Sequence, residues 1–365
     1  TTLSEDAFLG GCYRNYISNL RLEVLSSSSR SVYFIFEDSS WAVTYSPKSA
    51  ILNKIDAKSG ELEIQTNRLN RSLTDLNKYD FEAAHKIYKM IFSDIQQNFK
   101  KNSSILIFDS ETVRIPLSIL VKSMPDENNY SKALITAEWL LRDYSFAYLY
   151  PTKNKLNNVE YQDTFLGIAN SSSYSWTDLP SLKSSVREVR NLALSSNAKV
   201  ENILTGVEAT KENFLQKLGN NYERIVISTH AVPEGWKGYT GESSLLLASN
   251  KSDFFLPTSE IAQLEFTSDM VVLSSCSGMT DDFRDLFKSF LVAGANSVVH
   301  ANWKLESKFA SEFTDEFFKE LWLNKDLQKH EAMRNVALSF LDDYSNPMYA
   351  DPAFWGNFSI GYSSL

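Results

Sequence analysis

A chain of 365 residues with 43% hydrophobic and 22% charged residues has ample material for a core, which excludes wholesale disorder. Its formal net charge of −9 argues against a nucleic-acid surface, which is ordinarily basic. No uninterrupted apolar stretch approaches the roughly 20 residues of a membrane span, so no membrane partner is expected. Two cysteines form no disulfide framework and fit a reducing, cytoplasmic compartment, although nothing in the sequence forbids their pairing. Metal-ligand spacings of the Cys-x-x-Cys or His-x-x-x-His type are absent, as are glycine loops for nucleotide phosphates, so neither metal nor cofactor is expected. The start, Thr1-Thr2-Leu3-Ser4-Glu5-Asp6, is polar and acidic, unlike a secretory leader. Lacking an initiating Met, the chain reads as a processed or excised part of a longer one.

In chain order, Ser26–Ser29 is a short low-complexity loop, and Ser31–Phe36 with Trp41–Tyr45 predicts a hairpin. Ala84, Tyr88, Ile91, Phe92 and Ile95 fall near one face of a helix running from about Phe81 to Phe99. Ile105–Phe108 is a buried-type strand, and Arg114–Leu117 turns into further helix. Trp139–Leu141 reads as helix and Phe146–Tyr150 as strand. The polar stretch 151–162 is the expected boundary between a first half, 1–160, and a second, 161–365.

The second half alternates more regularly. Phe165–Ala169 is a strand and Ser184–Leu194 a helix, and Thr210 is a plausible N-cap for the helix carrying Phe214 and Leu218. The strand leading to His230 is followed by a glycine-rich loop, Ala231–Gly241, holding Trp236. Leu245–Leu247 comes next, then the strand leading to Cys276, a helix with Leu286, Phe290 and Leu291, and the strand Ser297–Ala301. Two amphipathic helices, Phe309–Leu323 and Lys329–Leu341, precede a last strand, Phe354–Ile360. Repeated strand–helix–strand order predicts an α/β fold with a mostly parallel sheet and helices on both faces.

Two strands carry the chemistry. Arg224-Ile225-Val226-Ile227-Ser228-Thr229 runs into His230, and Met270-Val271-Val272-Leu273-Ser274-Ser275 runs into Cys276. If adjacent and parallel, they would bring an imidazole and a thiol to the carboxyl edge of the sheet, where open α/β sheets build their sites. A thiol becomes a nucleophile when a base stabilises its thiolate. Taken alone, Cys276 would equally be a small buried hydrophobe and His230 a satisfied core residue. Cys12 has no such context and reads as filling space. His85, His300 and His330 read as structural or surface residues, with His300, inside a strand, the one expected to be buried.

The second half resembles the CHAT domain, a caspase-like family of the clan that holds caspases, metacaspases and separases. Leu204-Thr205-Gly206-Val207-Glu208-Ala209-Thr210 is similar to the family's L-T-G-x-x-A-T, Ser228-Thr229-His230 to A-T-H-G, and Val271–Cys276 to V-V-L-S-A-C. Phe290–Val299 is similar to F-L-x-A-G-A-x-S-V-V, Asn302–Glu306 to L-W-P-V-D, and Phe354–Phe358 to the closing W-A-A-F strand. A looser match, at Ile107-Phe108-Asp109 and Arg114–Leu117, makes the first half resemble a non-catalytic caspase-like half. The resemblance implies a caspase-like three-layer sandwich and a His230/Cys276 dyad that needs no third member. Three departures stand out: Ala231 replaces a Gly, Ser277-Gly278-Met279 replaces E-T-G, and Lys304 replaces a Pro.

On that resemblance the chain is expected to be a regulated cysteine endopeptidase. It would cut a specific protein through a thioester, with Ala231 and Cys276 N–H groups as the oxyanion site and a regulatory partner or domain as activator. Ser274, two before the thiol, would line the primary pocket, and Trp303 would wall it or pack beneath it. Glu306, or its rivals Asp281 and Asp282, would favour a basic P1 residue, unless it is simply a solvated loop carboxylate. The loop Ala231–Gly241 is a candidate mobile element. The alternatives are a catalytically silent scaffold of the same fold and, more weakly, a flavodoxin-like small-molecule binder.

Overall fold

The computed structural model describes residues 30–35, 40–46, 49–74, 78–108, 115–126, 129–152, 163–170, 185–235, 239, 241–248, 254–274, 281–304 and 306–364. The Ser26–Ser29 run, Cys12, Trp236 and Cys276 lie outside them. The chain forms two compact units. One comprises Thr1–Tyr150, Gln328–Ser359 and Ser364–Leu365; the other comprises Pro151–Leu327 and Ile360–Ser363.

In the first unit, β1 (Arg30–Ile35), β2 (Ser40–Ser46) and β3 (Ser49–Ile55) form an antiparallel meander. The predicted hairpin is its first two strands; β3 and the following helix, Ser59–Thr74, were not anticipated. β1 also pairs in parallel with β4 (Ser103–Phe108), and β4 with β5 (Tyr144–Pro151). Every residue of β4 is buried, as a strand covered on both faces requires.

The predicted helix from Phe81 stops at Ile91 rather than Phe99. Asp80 caps its start by accepting the Ala83 N–H at 2.9 Å. At the other end Ser93 Oγ donates to the Lys89 carbonyl at 2.8 Å, and Asn98 donates to Asn53 at 2.9 Å. Such side chains offer the backbone alternatives to continued helix.

The helix Lys329–Leu341 belongs to this unit. Gln328 and Glu331 form a capping box at its start, and Glu331 also accepts the Ser104 hydroxyl from β4 at 3.0 Å. Arg334 donates to the carbonyls of Leu141 and Arg142 at 2.7 and 2.6 Å. The segment expected as a strand from Phe354 begins instead as a helical turn, Pro352–Trp355. Pro352 suits its first position, and Asp351 caps it by accepting the Ala353 N–H at 2.9 Å. Strand geometry starts only at Phe358.

His330, read only as structural or surface, is fully interior. It is 1% exposed, and burial, with the Lys329 charge adding to it, pushes its pKa down from 6.5 to about 3. A base with a depressed folded pKa contributes stability that is complete above pH 6.5 and is lost as pH falls towards about 3. The loss is roughly 1 kcal/mol per pH unit across that window. A His330→Gln variant lacks the titration, so its deficit against the parent at pH 7 is expected to shrink steadily towards pH 4 in urea titrations. A deficit independent of pH would show that His330 titrates alike in the folded and the unfolded chain, with no depression of its pKa by burial.

In the second unit, β6 (Thr164–Ala169), β7 (Val200–Thr205) and β8 (Arg224–Ser228) precede a small antiparallel sheet. That sheet is β9 (His230–Val232), β10 (Ser244–Leu246) and β11 (Phe255–Pro257). β12 (Met270–Leu273) and β13 (Ser297–Ala301) return to the larger sheet, where the order β13-β12-β8-β6-β7 is parallel throughout. Parallel neighbours need crossovers, and the helices Ser185–Ser195, Lys211–Leu218 and Asp281–Ala293 supply them. Thr210 caps the second as predicted, accepting the Asn213 N–H at 3.2 Å. His300 keeps intermediate exposure as a whole residue, but its Nε2 is buried, its ring stacks on Phe287 with centroids 3.9 Å apart, and burial lowers its pKa to about 4. Across the described residues the sheet is mixed and mostly parallel with helices, as the strand–helix alternation predicts, and no described helix is long and apolar enough to cross a membrane.

Candidate active site

β8 and β12 are immediate parallel neighbours, paired from Met270↔Arg224 to Leu273↔Ile227. Both are continuous apolar runs, buried along almost all their length, the composition of strands covered on both faces. The pairing runs one step further, because the Ser274 N–H donates to the Ile227 carbonyl at 2.9 Å. Ser228 and Ser274 therefore stand side by side where the two strands end.

Beyond Ser228 the chain does not enter the expected loop at once. One residue later His230 opens β9, with His230 opposite Leu246 and Ala231 opposite Leu245 of β10. The turn is held by the Leu246 carbonyl, which accepts the Thr229 hydroxyl and the Asn170 side-chain amide, the latter at 2.9 Å. Since β10 lies more than a dozen residues away, local sequence carries little sign of this strand. His230 and Ala231 are buried, at 7% and 9% exposure.

Ser274 is part-exposed, and its hydroxyl is engaged by Glu188 on the helix Ser185–Ser195, a residue that belongs to none of the motifs. The two carboxylate oxygens are divided between the two strand ends. Oε1 accepts from Ser274 Oγ at 2.5 Å, and Oε2 accepts from Ser228 Oγ at 3.0 Å. Glu188 is 7% exposed. Burial raises its pKa above the ordinary carboxylate value, against the opposing pull of the two serine hydroxyls. The only hint in the sequence was an acidic residue beside Val189 on the apolar side of an amphipathic helix.

The other residues expected at the site fall on three further segments. Trp303 is fully buried, so it packs in the interior rather than standing open to a ligand. Glu306 is exposed at the N-cap of the helix Ser307–Leu323. Asp281 and Asp282 open the helix Asp281–Ala293, but their side chains, with Cys276, lie outside the description. Among the described residues no three His, Cys, Asp or Glu side chains are grouped as a metal ion would need.

Two crystal structures of the separase–securin complex of Saccharomyces cerevisiae share this fold. They match with TM-scores of 0.53 and 0.51, 10% and 9% identity, and coverage of 96% of this chain in each. This chain spans only 30% and 31% of those separase chains. The Arg-specific cysteine proteinase gingipain R matches with a TM-score of 0.45 at 10% identity, over 78% of this chain and 66% of its own. No curated protein matches. The family model for the CHAT domain matches residues 82–363, which include the ends of β8 and β12 and both residues of the expected His/Cys pair. With most of its length inside that match, this chain belongs to the CHAT domain family.

Proposed function

We propose that the chain is a regulated cysteine endopeptidase with His230 and Cys276 as its working pair. One observation carries the reading: β8 and β12 are adjacent, parallel and in register at Leu273↔Ile227. His230 follows Ile227, and Cys276 follows Leu273, by the same three residues. The Cys276 thiolate attacks the scissile carbonyl carbon, and backbone N–H groups of Ala231 and Cys276 receive the developing oxyanion. Collapse breaks the C–N bond as His230 protonates the departing amine, leaving a thioester. His230 then takes a proton from water, whose oxygen displaces the thiol and releases the carboxylate product.

Ser274 lines the primary pocket in this reading, with Trp303 packed behind it. Glu306 supplies the carboxylate for a basic P1 residue, with Asp281 and Asp282 as rivals. The separase likeness comes from a complex with securin, and a regulatory partner is part of the proposal here. So is a reducing, cytoplasmic setting, on the strength of the sparse cysteines. A binding scaffold is the second reading, favoured by the burial of His230.

Pooled fluorogenic peptides varied at P1 separate the two readings. Cleavage by the parent is expected to fall by at least about a thousandfold in both Cys276→Ala and His230→Ala. Undiminished cleavage in Cys276→Ala would refute the thiol mechanism. A parent chain that neither cleaves peptides nor is labelled at Cys276 by a thiol-directed peptidyl ketone would favour the scaffold.

A further inference from the structure

A carboxylate buried beside two neutral hydroxyls is an expensive way to fasten a helix to a sheet. Burying the charge is unfavourable, and an apolar side chain of similar volume would pack there at less cost. Glu188 is nevertheless brought there by a close approach. The helix Ser185–Ser195 comes so near β6 that a Cβ on Gly167 would lie 2.2 Å from the Val189 side chain. Gly167 pairs with Val226 of β8, so its missing side chain seats the helix over the strand ends at the position next to Glu188. Each serine that Glu188 holds lies two residues before a member of the proposed pair, Ser228 before His230 and Ser274 before Cys276.

We propose that Glu188 is a positioning residue, whose two oxygens clip the ends of β8 and β12 together and so set the spacing between His230 and Cys276. This rests on the reading of the site given above. Both oxygens are engaged and the side chain is buried, so Glu188 is not itself a docking point for a basic P1 residue. The clip works through geometry: any side chain of the same length that bonds both serines should serve. Gln qualifies, since its oxygen accepts from one hydroxyl and its amide donates to the other. Leu, of similar size, bonds neither.

The test compares the full chain with Glu188→Gln, Glu188→Leu and Ser228→Ala, using peptide cleavage and the pH profile of iodoacetamide alkylation at Cys276. N-acetylcysteine in the same reaction serves as reference thiol. Glu188→Leu is expected to lose about a hundredfold in kcat with little change in KM, with a modest fall in Tm from the stranded serine hydroxyls. Its Cys276 profile should move towards that of the reference thiol. Glu188→Gln should keep kcat within about threefold, and Ser228→Ala, which loses one of the two ties and keeps the fold safe, should fall by about tenfold. Parental kcat and alkylation in Glu188→Leu would overturn the proposal, as would equal losses in the Leu and Gln variants. The alkylation profile does not depend on turnover. A chain that neither cleaves peptide nor is labelled at Cys276 by the peptidyl ketone defeats the peptidase reading, while the clip is still judged by whether the Cys276 profile moves in Glu188→Leu or, should that variant not fold, in Ser228→Ala.

Discussion

Gly294→Ala is expected to destabilise the second unit by roughly 3 kcal/mol or more, or to prevent its folding. Gly294 ends the helix Asp281–Ala293 with φ +131°, a backbone region that side chains disfavour. A Cβ there would lie 1.8 Å from the Phe266 carbonyl oxygen, and no rotamer relieves a clash with backbone. The crowding is a consequence of tight local bonding. Phe266 donates its N–H to Ala293, Ala295 donates to Phe290, and Asn296 donates to Ser268, at 3.1, 3.0 and 2.8 Å. These bonds aim the chain into β13, alongside β12.

Two other glycines supply controls. Gly206, φ +55°, has open space around its Cβ position, so its Ala variant should pay only the conformational cost of about 1–2 kcal/mol. Gly60, exposed in the helix Ser59–Thr74, is equally unobstructed and has no positive φ. Gly60→Ala should therefore stabilise by roughly 0.5–1 kcal/mol. Denaturation midpoints in the order Gly60→Ala, parent, Gly206→Ala, Gly294→Ala check the argument; a Gly294→Ala midpoint level with Gly206→Ala would refute the clash.

Trp139→Ala is expected to cost about 3–5 kcal/mol in the first unit. The indole is completely buried. Its ring meets Tyr79, Trp355 and Phe81 with centroids 5.2, 5.3 and 5.6 Å away, the first two edge to face. Its Nε1–H donates to the Leu134 carbonyl at 2.8 Å. Rigid aromatic neighbours collapse poorly into a void, so most of the cavity should persist. Trp139→Phe keeps much of the packing and forfeits the hydrogen bond, which predicts a smaller loss of about 1–3 kcal/mol from the stranded carbonyl. Far-UV circular dichroism against urea distinguishes the two variants. Equal losses would show that the hydrogen bond, rather than the ring stack, dominates.

The local sequence determined the strands and most helices where one physical signal sufficed. Ile225–Ile227 and Met270–Leu273 are apolar without interruption because they are covered on both faces, and Thr210 caps a helix with its own hydroxyl. The family motifs were legible for the same reason, as short segments read in order. Where a second, distant segment decided the outcome, local sequence was silent. His230 lies in a strand because Ser244–Leu246 comes alongside. Asp351 and Pro352 delay the last strand, and His330 is interior because its capped helix packs within the first unit, far in sequence from β4. Glu188 illustrates the limit most directly. An acid on an amphipathic helix ordinarily faces water, and only the tertiary fold brings Ser228 and Ser274, 40 and 86 residues further along, to its two oxygens. Burial and pairing of a charge are properties of surroundings, and those surroundings exist only once the chain has folded.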